Sequence, residues 1–100
     1  MPPMSDPLLT AVSGMQAASL QMQSVASNVA NAQTPNYQPT AVQQTAQPGG
    51  GVRASLVKSP PTDLPTQLVS GMEASAAYRA NLAVFGAMGR AYKSLLDIIA

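Results

Sequence analysis

Apolar residues recur every three or four positions in two stretches of the chain, one near each end. This spacing places the apolar side chains along one face of an α-helix. In the first stretch the repeating residues are Leu8, Val12, Met15, Ala18, Met22, Val25 and Val29. In the second stretch they are Leu68, Gly71, Ser75, Tyr78, Leu82, Phe85, Gly89, Tyr92, Leu96 and Ile99. The pattern predicts two long helices, each with a narrow seam that faces a helical partner.

Local signals place the predicted helices at residues 6–31 and 63–100. A possible cap at Asp6 precedes a proline at the first helical position, and the proline at position 35 ends the first helix. Thr62 or Asp63 can cap the second helix. At about 1.5 Å per residue that helix would be roughly 55 Å long, which predicts an elongated molecule.

The segment 32–62 between the helices is rich in proline and glycine. Alternating residues from Val52 to Val57 follow the glycines at positions 49–51, which is typical of a short β-hairpin, and an extended loop is the alternative. The whole pattern predicts one mainly α domain over residues 1–100. Its two terminal helices would pack as an antiparallel coiled-coil hairpin around this insertion.

The composition indicates a subunit of an assembly. Hydrophobic residues make up 46% of the chain, but seventeen of the 100 residues are alanine and only four are aromatic. Charged residues make up 9%, against about 25% in an ordinary soluble domain. Such a surface is suited to burial against other copies or partners. The aromatic residues Tyr78, Phe85 and Tyr92 recur every seven positions, and we expect them to pack in the core of the helix pair.

The same inventory argues against catalysis and nucleic-acid binding. The chain has no histidine or cysteine, and its carboxylates are isolated at Asp6, Asp63, Glu73 and Asp97. We therefore expect no enzyme, metal site, cofactor or small-molecule substrate. The net charge is +1 with the basic residues dispersed, so we expect no nucleic-acid partner.

Membrane and targeting signals are weak. We expect no cleaved signal peptide, because the start of the sequence lacks a basic region and an apolar run. No stretch reaches the roughly 18 apolar residues of a membrane span. Residues 83–100 form an apolar stripe with two cations that could lie on a membrane surface, but so few cations make membrane binding an unfavoured hypothesis.

Residues 24–37, SVASNVANAQTPNY, collect polar residues at the end of a predicted helix. This stretch resembles the signature of the bacterial flagellar rod and hook (axial) protein family, roughly S-x-N-[LIV]-A-N-x-x-T-x-G-[YF]. Asparagine stands at position 36, where the family usually has glycine, and it tolerates the left-handed conformation best of the other residues. The assembly motif implied by the resemblance comprises Ser24, Asn28, Val29, Ala30, Asn31, Thr34, Pro35, Asn36 and Tyr37.

Two further stretches extend the resemblance to about two thirds of the chain. Residues 8–28 resemble the first helix of the family, and residues 63–100 resemble its last helix, including E-A-S-x-A-Y-x-A-N at 73–81. Known rod and hook subunits carry more sequence between these helices than the roughly thirty residues found here. The chain therefore looks like a short, stand-alone version of the core domain of the family.

The resemblance implies a structural subunit of the flagellar basal-body rod or hook. Such proteins are exported unfolded by the flagellar type III apparatus and assemble through their terminal helices with copies of themselves and other axial proteins. A cytoplasmic helical-hairpin adaptor or export chaperone, forming a discrete small oligomer, is the alternative that the heptads also permit.

Physical reasoning assigns two possible tasks to the polar stripe. Ser24, Asn28 and Asn31 share one face of the predicted helix. Their side chains could bond neighbouring subunits, or they could bond the turn at 32–37 of their own chain. The simplest alternative is that the two asparagines only cap the helix end. We expect the apolar seams, which run from Leu8 to Val29 and from Leu68 to Ile99, to form the helix interface.

Overall fold

A computed structural model describes residues 7–99 of the chain, which form two helices and one β-hairpin. In chain order the elements are α1 (Pro7–Ala30), β1 (Thr40–Ala46), β2 (Val52–Lys58) and α2 (Leu64–Ile99). The mainly α fold and the position of both helices are confirmed. The predicted cap at Asp6 and the predicted helix end at Ala100 lie outside the described residues. The middle segment is a hairpin and not an extended loop.

The two strands are antiparallel, with Thr40 opposite Lys58 at the base and Ala46 opposite Val52 near the tip. The turn is closed by the N–H of Gln47, which donates to the carbonyl of Gly51 at 3.1 Å. Gly51 has a φ of 81°, a conformation that glycine adopts without the strain of a Cβ. Glycine at the tip therefore allows the chain to reverse within a few residues.

Helix α1 lies between the hairpin and α2 and contacts both of them. No Cα atom of α2 lies within 8 Å of a strand Cα in the described part of the chain. The principal extents are 61 × 28 × 15 Å, which confirms the predicted elongated shape. The fold thus depends on α1, because it is the common support of the other two elements.

The two helices run antiparallel and approach closely where small residues meet. A Cβ added at Gly71 would lie 3.3 Å from a methyl carbon of Val25, and one added at Gly14 would lie 2.7 Å from the Asn81 side chain. The buried apolar residues are all alanine: Ala11, Ala17, Ala18 and Ala74. Bare backbone and methyl groups therefore form the described core in place of large side chains.

The face of α2 that meets α1 is rotated from the predicted seam. Among the residues of α2 that contact α1, Gly71 belongs to the predicted seam, but Gln67, Ser70 and Asn81 do not, and Ala74, also outside the seam, is buried among them. The predicted seam residues on the adjoining face stay exposed, with Leu68 at 52% and Leu82 at 49%. The reason is steric, because small residues let the helices come closer than leucine side chains would allow.

The last part of α2 extends beyond α1. Gly14 lies against Asn81, so at equal rise per residue Pro7 lies near the level of Met88. Phe85 and Tyr92 are 39% and 42% exposed, which differs from the expected core packing of the aromatic residues. By the same offset Phe85 lies level with Thr10, beside α1, whereas Tyr92 lies beyond Pro7, so the described part of α1 is too short to cover Tyr92.

Candidate functional site

The conspicuous polar site is at the C-terminal end of α1, where Ser24 and Asn28 are buried to 5% and 7% exposure. A buried polar group is costly unless its hydrogen bonds are satisfied. The side chains of this region meet the start of β1, the turn that precedes it and the first residues of α2. This is the region in which the sequence collects its asparagines.

Asn28 pairs with Thr40 as a neighbouring strand would. Its Nδ2 donates to the Thr40 carbonyl at 2.8 Å, and the Thr40 N–H donates to its Oδ1 at 3.0 Å. The side-chain amide therefore satisfies both peptide groups of Thr40 at the first residue of β1. The consequence is a fixed position of the hairpin base on α1.

Two further bonds complete the hydrogen-bonding capacity of Asn28. Its Nδ2 also donates to Oε1 of Gln67 on α2, and its Oδ1 also accepts from the Tyr37 hydroxyl, both at 3.3 Å. A primary amide offers two donors and an oxygen with two lone pairs, so the group is fully used within one chain. Asn28 thus connects α1, the turn, β1 and α2.

Ser24, one turn earlier, reinforces the same contact. Its Oγ donates to the Thr40 carbonyl at 2.9 Å and shares a hydrogen bond with the Thr40 hydroxyl at 2.8 Å. The Thr40 carbonyl therefore accepts from two side chains of α1. Ser24 and Asn28 thus bond within their own chain, but their main partner is Thr40 of β1, beyond the predicted turn at 32–37, which only Asn28 reaches, through Tyr37.

Asn31 has a more local contact. Its Nδ2 donates to the Ser27 carbonyl at 2.9 Å, and the same carbonyl accepts from the Asn31 N–H at 3.0 Å. Its Oδ1 accepts from the Thr34 hydroxyl at 3.3 Å. A local role at the helix end therefore accounts for the contacts of Asn31. It does not account for Asn28, which also bonds Thr40 of β1 and Gln67 of α2.

The turn after α1 is closed by Tyr37 and Asn36. The hydroxyls of Ser27 and Tyr37 share a hydrogen bond of 2.8 Å, which holds the tyrosine against α1. Asn36 has a φ of 63°, so the expected left-handed conformation at the position of the family glycine is confirmed. The other motif residues contribute less, since Val29 is half-buried and Ala30, Thr34 and Pro35 are exposed.

The predicted seam residues are distributed unevenly between the helices. Those of α1 are half-buried: Leu8, Val12, Met15, Met22, Val25 and Val29. In α2 the seam residues Gly71, Ser75 and Tyr78 are half-buried, and the larger apolar ones are otherwise exposed: Leu68, Leu82, Phe85, Tyr92, Leu96 and Ile99. The structure therefore leaves much of the α2 seam uncovered in one molecule.

Sequence reasoning missed a second anchor of the hairpin, at Ser13. The N–H of Val52 donates to Ser13 Oγ at 3.1 Å, and this hydroxyl donates to the Thr10 carbonyl at 2.8 Å. A Cβ at Gly51 would lie 2.5 Å from the same oxygen, so only glycine fits. No local pattern marks Ser13, because its partner is 39 residues away in the chain.

The amide of Gln21 was also missed. Its Nε2 donates to the Ser70 hydroxyl at 2.9 Å and to the Ser70 carbonyl at 3.2 Å, which joins the middle of α1 to α2. Together with Gln67 it shows that amide side chains bridge the helix pair where leucines were expected.

An open cavity of about 210 Å³ lies beside the Asn28 contacts, at the end of the molecule where α2 begins. It is lined by Asn28, Val29, Asn31, Ala32, Thr34, Tyr37, Pro39, Pro61, Thr62, Leu64 and Gln67. Within residues 7–99 no three histidine, cysteine or acidic residues gather as metal ligands would. No helix among those residues is long and apolar enough to cross a membrane.

Comparison with known proteins identifies a relationship for the first part of the chain. Residues 8–38 match the family model described as "Flagella basal body rod protein". The matched segment covers nearly all of α1 and the whole turn, including Asn28, Asn31 and Tyr37. No curated protein matches the chain.

Proposed function

Residues 8–38 make this chain a member of the flagellar basal-body rod protein family, and from that premise we propose that it is a polymerising structural subunit of the rod or hook. The family match itself indicates a structural role in the flagellar basal body. Polymerisation through the terminal helices, and the position of the subunit in the rod or hook, are the additional steps of this proposal.

The single observation that carries the proposal is the family match. The matched segment is also the segment that organises the molecule, because Asn28 and Ser24 hold the hairpin base on α1. We propose that the predicted assembly motif acts indirectly. It fixes the relative positions of α1, β1 and α2, and the surfaces of the helices then make the contacts between copies.

Exposed apolar side chains on α2 support the helix surfaces as the contacts. Leu82, Leu96 and Ile99 are 49%, 65% and 80% exposed, although they belong to one regular apolar row. Large apolar side chains in such a row are stabilised by burial against another helix. We propose that helices of neighbouring copies cover this row and complete a coiled-coil seam in the assembly.

The small core supports export in an unfolded state. The buried apolar residues of the described chain are four alanines, and no large side chain among residues 7–99 is fully buried. Hydrophobic stabilisation scales with the apolar area buried, so little hydrophobic stabilisation opposes unfolding of the isolated chain before export. We propose export by the flagellar type III apparatus and final localisation in the rod or hook. The partners would be copies of the chain and other axial proteins.

The direct test is to isolate hook–basal bodies from the source cell and analyse them by mass spectrometry. We expect the chain to be present in the purified particles. A matched pair of variants sharpens the test, because Leu96→Lys places a charge in the exposed apolar row. Ala87→Lys places the same charge on the opposite side of α2, at an exposed position.

We expect Leu96→Lys to be absent from the particles and Ala87→Lys to be present. Light scattering of the purified chain distinguishes the cytoplasmic adaptor, which would form one stable small oligomer at every concentration. Absence of the unaltered chain from hook–basal bodies, together with such an oligomer, would overturn the proposal.

A further inference from the structure

We propose that the free edge of β1 is a docking site for one extended, uncharged segment of a partner protein, which adds to the hairpin as a third strand. The site is the groove that β1 forms with α2 over the surface of α1. Two cavities, of about 280 and 230 Å³, mark its course. The inference concerns a single molecule and does not depend on the proposed polymerisation.

The backbone of β1 has a row of hydrogen-bonding groups that point away from β2. The Ser59 N–H donates to the Pro39 carbonyl at 3.0 Å. Because bonded pairs alternate along an antiparallel ladder, this bond and the register fix which residues of β1 bond to β2. The N–H and C=O groups of every second residue of β1 therefore lie on its free edge: Thr40, Val42, Gln44 and Ala46.

One position of this row is already occupied by a side chain. The Asn28 amide bonds both peptide groups of Thr40, and it thereby takes the place that a residue of a third strand would have. Within residues 7–99 the peptide groups of the other members of the row have no hydrogen-bond partner: Val42, Gln44 and Ala46. Such unpaired groups on a strand edge can bind an extended segment by strand addition.

Helix α2 forms the far wall of the groove, although no Cα atom of its described residues lies within 8 Å of a strand Cα. The 230 Å³ cavity lies between Val42 of β1 and Ser70 of α2. The 280 Å³ cavity lies in the same way between Gln44 and Ala77. Gln21 of α1 lines both cavities, so they adjoin. A third strand at the usual spacing of about 4.8 Å from β1 would enter this groove and lie against both helices.

The positions of the two cavities match the repeat of a strand. Val42 and Gln44 are two residues apart, so their side chains point to the same face of the hairpin. Residues paired with them on an added strand would point to that face too, and would enter the two cavities about 7 Å apart. A cavity of about 150 Å³ accommodates a benzene ring, so each of these cavities has room for one side chain.

The lining of the groove determines the chemistry of the occupant. No charged residue lines either cavity, and their polar lining residues carry hydroxyl or amide groups. A charge placed in the groove would lose water without gaining an opposite charge. The fitting occupant is therefore an uncharged stretch that is long enough to pair with residues 42–46 of β1.

The other edge of the hairpin is protected against such pairing. Strand β2 carries Arg53 and Lys58, and charged residues on an edge strand oppose the addition of another strand. The N–H of Val52, on the free edge of β2, already donates to Ser13. By contrast, residues 7–52 contain no charged residue, so β1 has no charge that would repel an added segment.

A folded second copy does not fit the groove. Antiparallel pairing of two β1 strands relates the copies by a two-fold axis perpendicular to the sheet, which keeps the helices of both copies on one face. The α1 helix of the second copy would then meet the α2 helix that forms the wall of the groove. The occupant is therefore a segment without a helix of its own on that face.

The test adds a synthetic peptide to the full chain and follows hydrogen exchange by NMR. The peptide has blocked ends and the sequence of residues 40–46, TAVQQTA, which is uncharged and forms a strand in this fold. We expect the Gln43 amide to be protected by β2 without peptide. The peptide should slow exchange at least tenfold at the edge residues Val42, Gln44 and Ala46. No slowing at millimolar peptide would overturn the proposal.

Two proline variants distinguish the edges of the hairpin. Gln44→Pro removes an N–H on the free edge of β1, and Leu56→Pro removes one on the free edge of β2. Neither N–H bonds the other strand, and proline is tolerated at such edge positions. We expect Gln44→Pro to weaken peptide binding at least tenfold and Leu56→Pro to change it less than twofold. Equal weakening by both variants would overturn the assignment to the β1 edge.

A pair of lysine variants tests the groove from α2 and leaves the sheet unaltered. Ala77→Lys places a charge in the lining of the 280 Å³ cavity, whereas Ala76→Lys places it at the adjacent exposed position, outside that lining. We expect Ala77→Lys to weaken peptide binding at least fivefold and Ala76→Lys to leave it unchanged. Unchanged binding by both would show that the peptide does not enter the groove, and would overturn the proposal.

A second peptide, in which both glutamines are glutamate, tests the chemistry of the occupant. Adjacent strand residues point to opposite faces, so one glutamate faces the groove in either register. We expect this peptide to bind at least tenfold more weakly at neutral pH, and equal binding would overturn the requirement for an uncharged segment. If raising the concentration of the chain alone slows exchange at Gln44, the occupant is a second copy, and the proposed partner segment is wrong.

Discussion

The side-chain amide of Asn81 contacts the bare backbone of Gly14. A Cβ added at Gly14 would lie 2.7 Å from both Nδ2 and Oδ1 of Asn81. The amide is itself held, because its Nδ2 donates to the Ala77 carbonyl at 2.9 Å. This contact sets the distance between α1 and α2 near the middle of the pair. It also explains why a residue with poor helix propensity stands inside α1.

Gly14→Ala should destabilise the molecule although alanine favours helix by about 1 kcal/mol over glycine. The added methyl group must displace the Asn81 amide and break its bond to Ala77, so we expect a net loss of about 1–2 kcal/mol. Urea unfolding followed by circular dichroism measures this loss.

The matched control is Gly89→Ala, since a Cβ at Gly89 meets nothing within 4 Å in the described chain. It should stabilise by about 1 kcal/mol. In an Asn81→Ala background, Gly14→Ala should lose its penalty, which a double-mutant cycle would show. Equal stabilisation by both glycine replacements in the unaltered background would contradict the close contact.

Asn28→Ala should be among the most damaging single substitutions in the chain. It leaves the N–H of Thr40 without its acceptor and removes a donor from the Thr40 carbonyl, and we expect a loss of about 2–3 kcal/mol. Faster hydrogen exchange of the Thr40 amide is the local measurement. Asn31→Ala, which removes a local cap, should cost about 1 kcal/mol and leave Thr40 protected.

Asn28→Asp should make stability depend on pH. Burial and the facing Thr40 carbonyl disfavour the carboxylate, which raises the pKa of the introduced group above the unfolded value of about 3.9. A proton then stabilises the folded state, so stability is present below pH 4 and declines as pH rises toward the raised value. Unfolding measured between pH 3 and 8 gives the profile, and a flat profile would contradict the buried pairing.

Asn36 tests the backbone of the turn. With φ at 63°, Asn36→Gly should be neutral or slightly stabilising, and Asn36→Ala should cost about 1 kcal/mol. Thermal unfolding of the two variants, compared in one buffer, provides the measurement. Similar melting temperatures for glycine and alanine would mean that the turn relaxes out of the left-handed region.

Ser13→Ala should release the tip of the hairpin while its base stays attached. The Val52 N–H loses its acceptor, and we expect its hydrogen exchange to accelerate about tenfold, whereas the Thr40 amide remains protected by Asn28. Ser19→Ala is the control, because Ser19 is half-buried and its hydroxyl has no hydrogen bond within residues 7–99. Equal acceleration at Thr40 would show that the hairpin opens as one unit.

The sequence predicts the elements well because their signals are local. Helix α1 has its proline at the first position and stops before Pro35, and the hairpin turn has the glycines that its positive φ values require. The left-handed Asn36 follows from the known preference of asparagine for that conformation. Each of these features depends on residues only a few positions apart.

The packing face was harder to predict because hydrophobicity is a poor guide to a core of small residues. Leu68 and Leu82 of the predicted row stay exposed, whereas the helices meet at Gly71 of that row and at Ala74 and Asn81 outside it. The face of α2 that packs on α1 is the one that lets the two backbones approach closely, and the spacing of apolar residues in the sequence does not indicate which face that is. The partner of Asn28 was equally hidden, since Thr40 lies beyond the turn in a strand whose register sequence reasoning leaves open.

The separation of α2 from the hairpin has a consequence for how this molecule could be enlarged. The tip is the part of the hairpin farthest from its base, and the space around Gly49 is open in the described chain. Residues inserted there would extend outward from the tip of the hairpin, while the alanine core between the elements keeps its geometry. Chains of different width could thereby share this fold, with residues added at the tip loop and the contacts of α1 with the hairpin and with α2 retained.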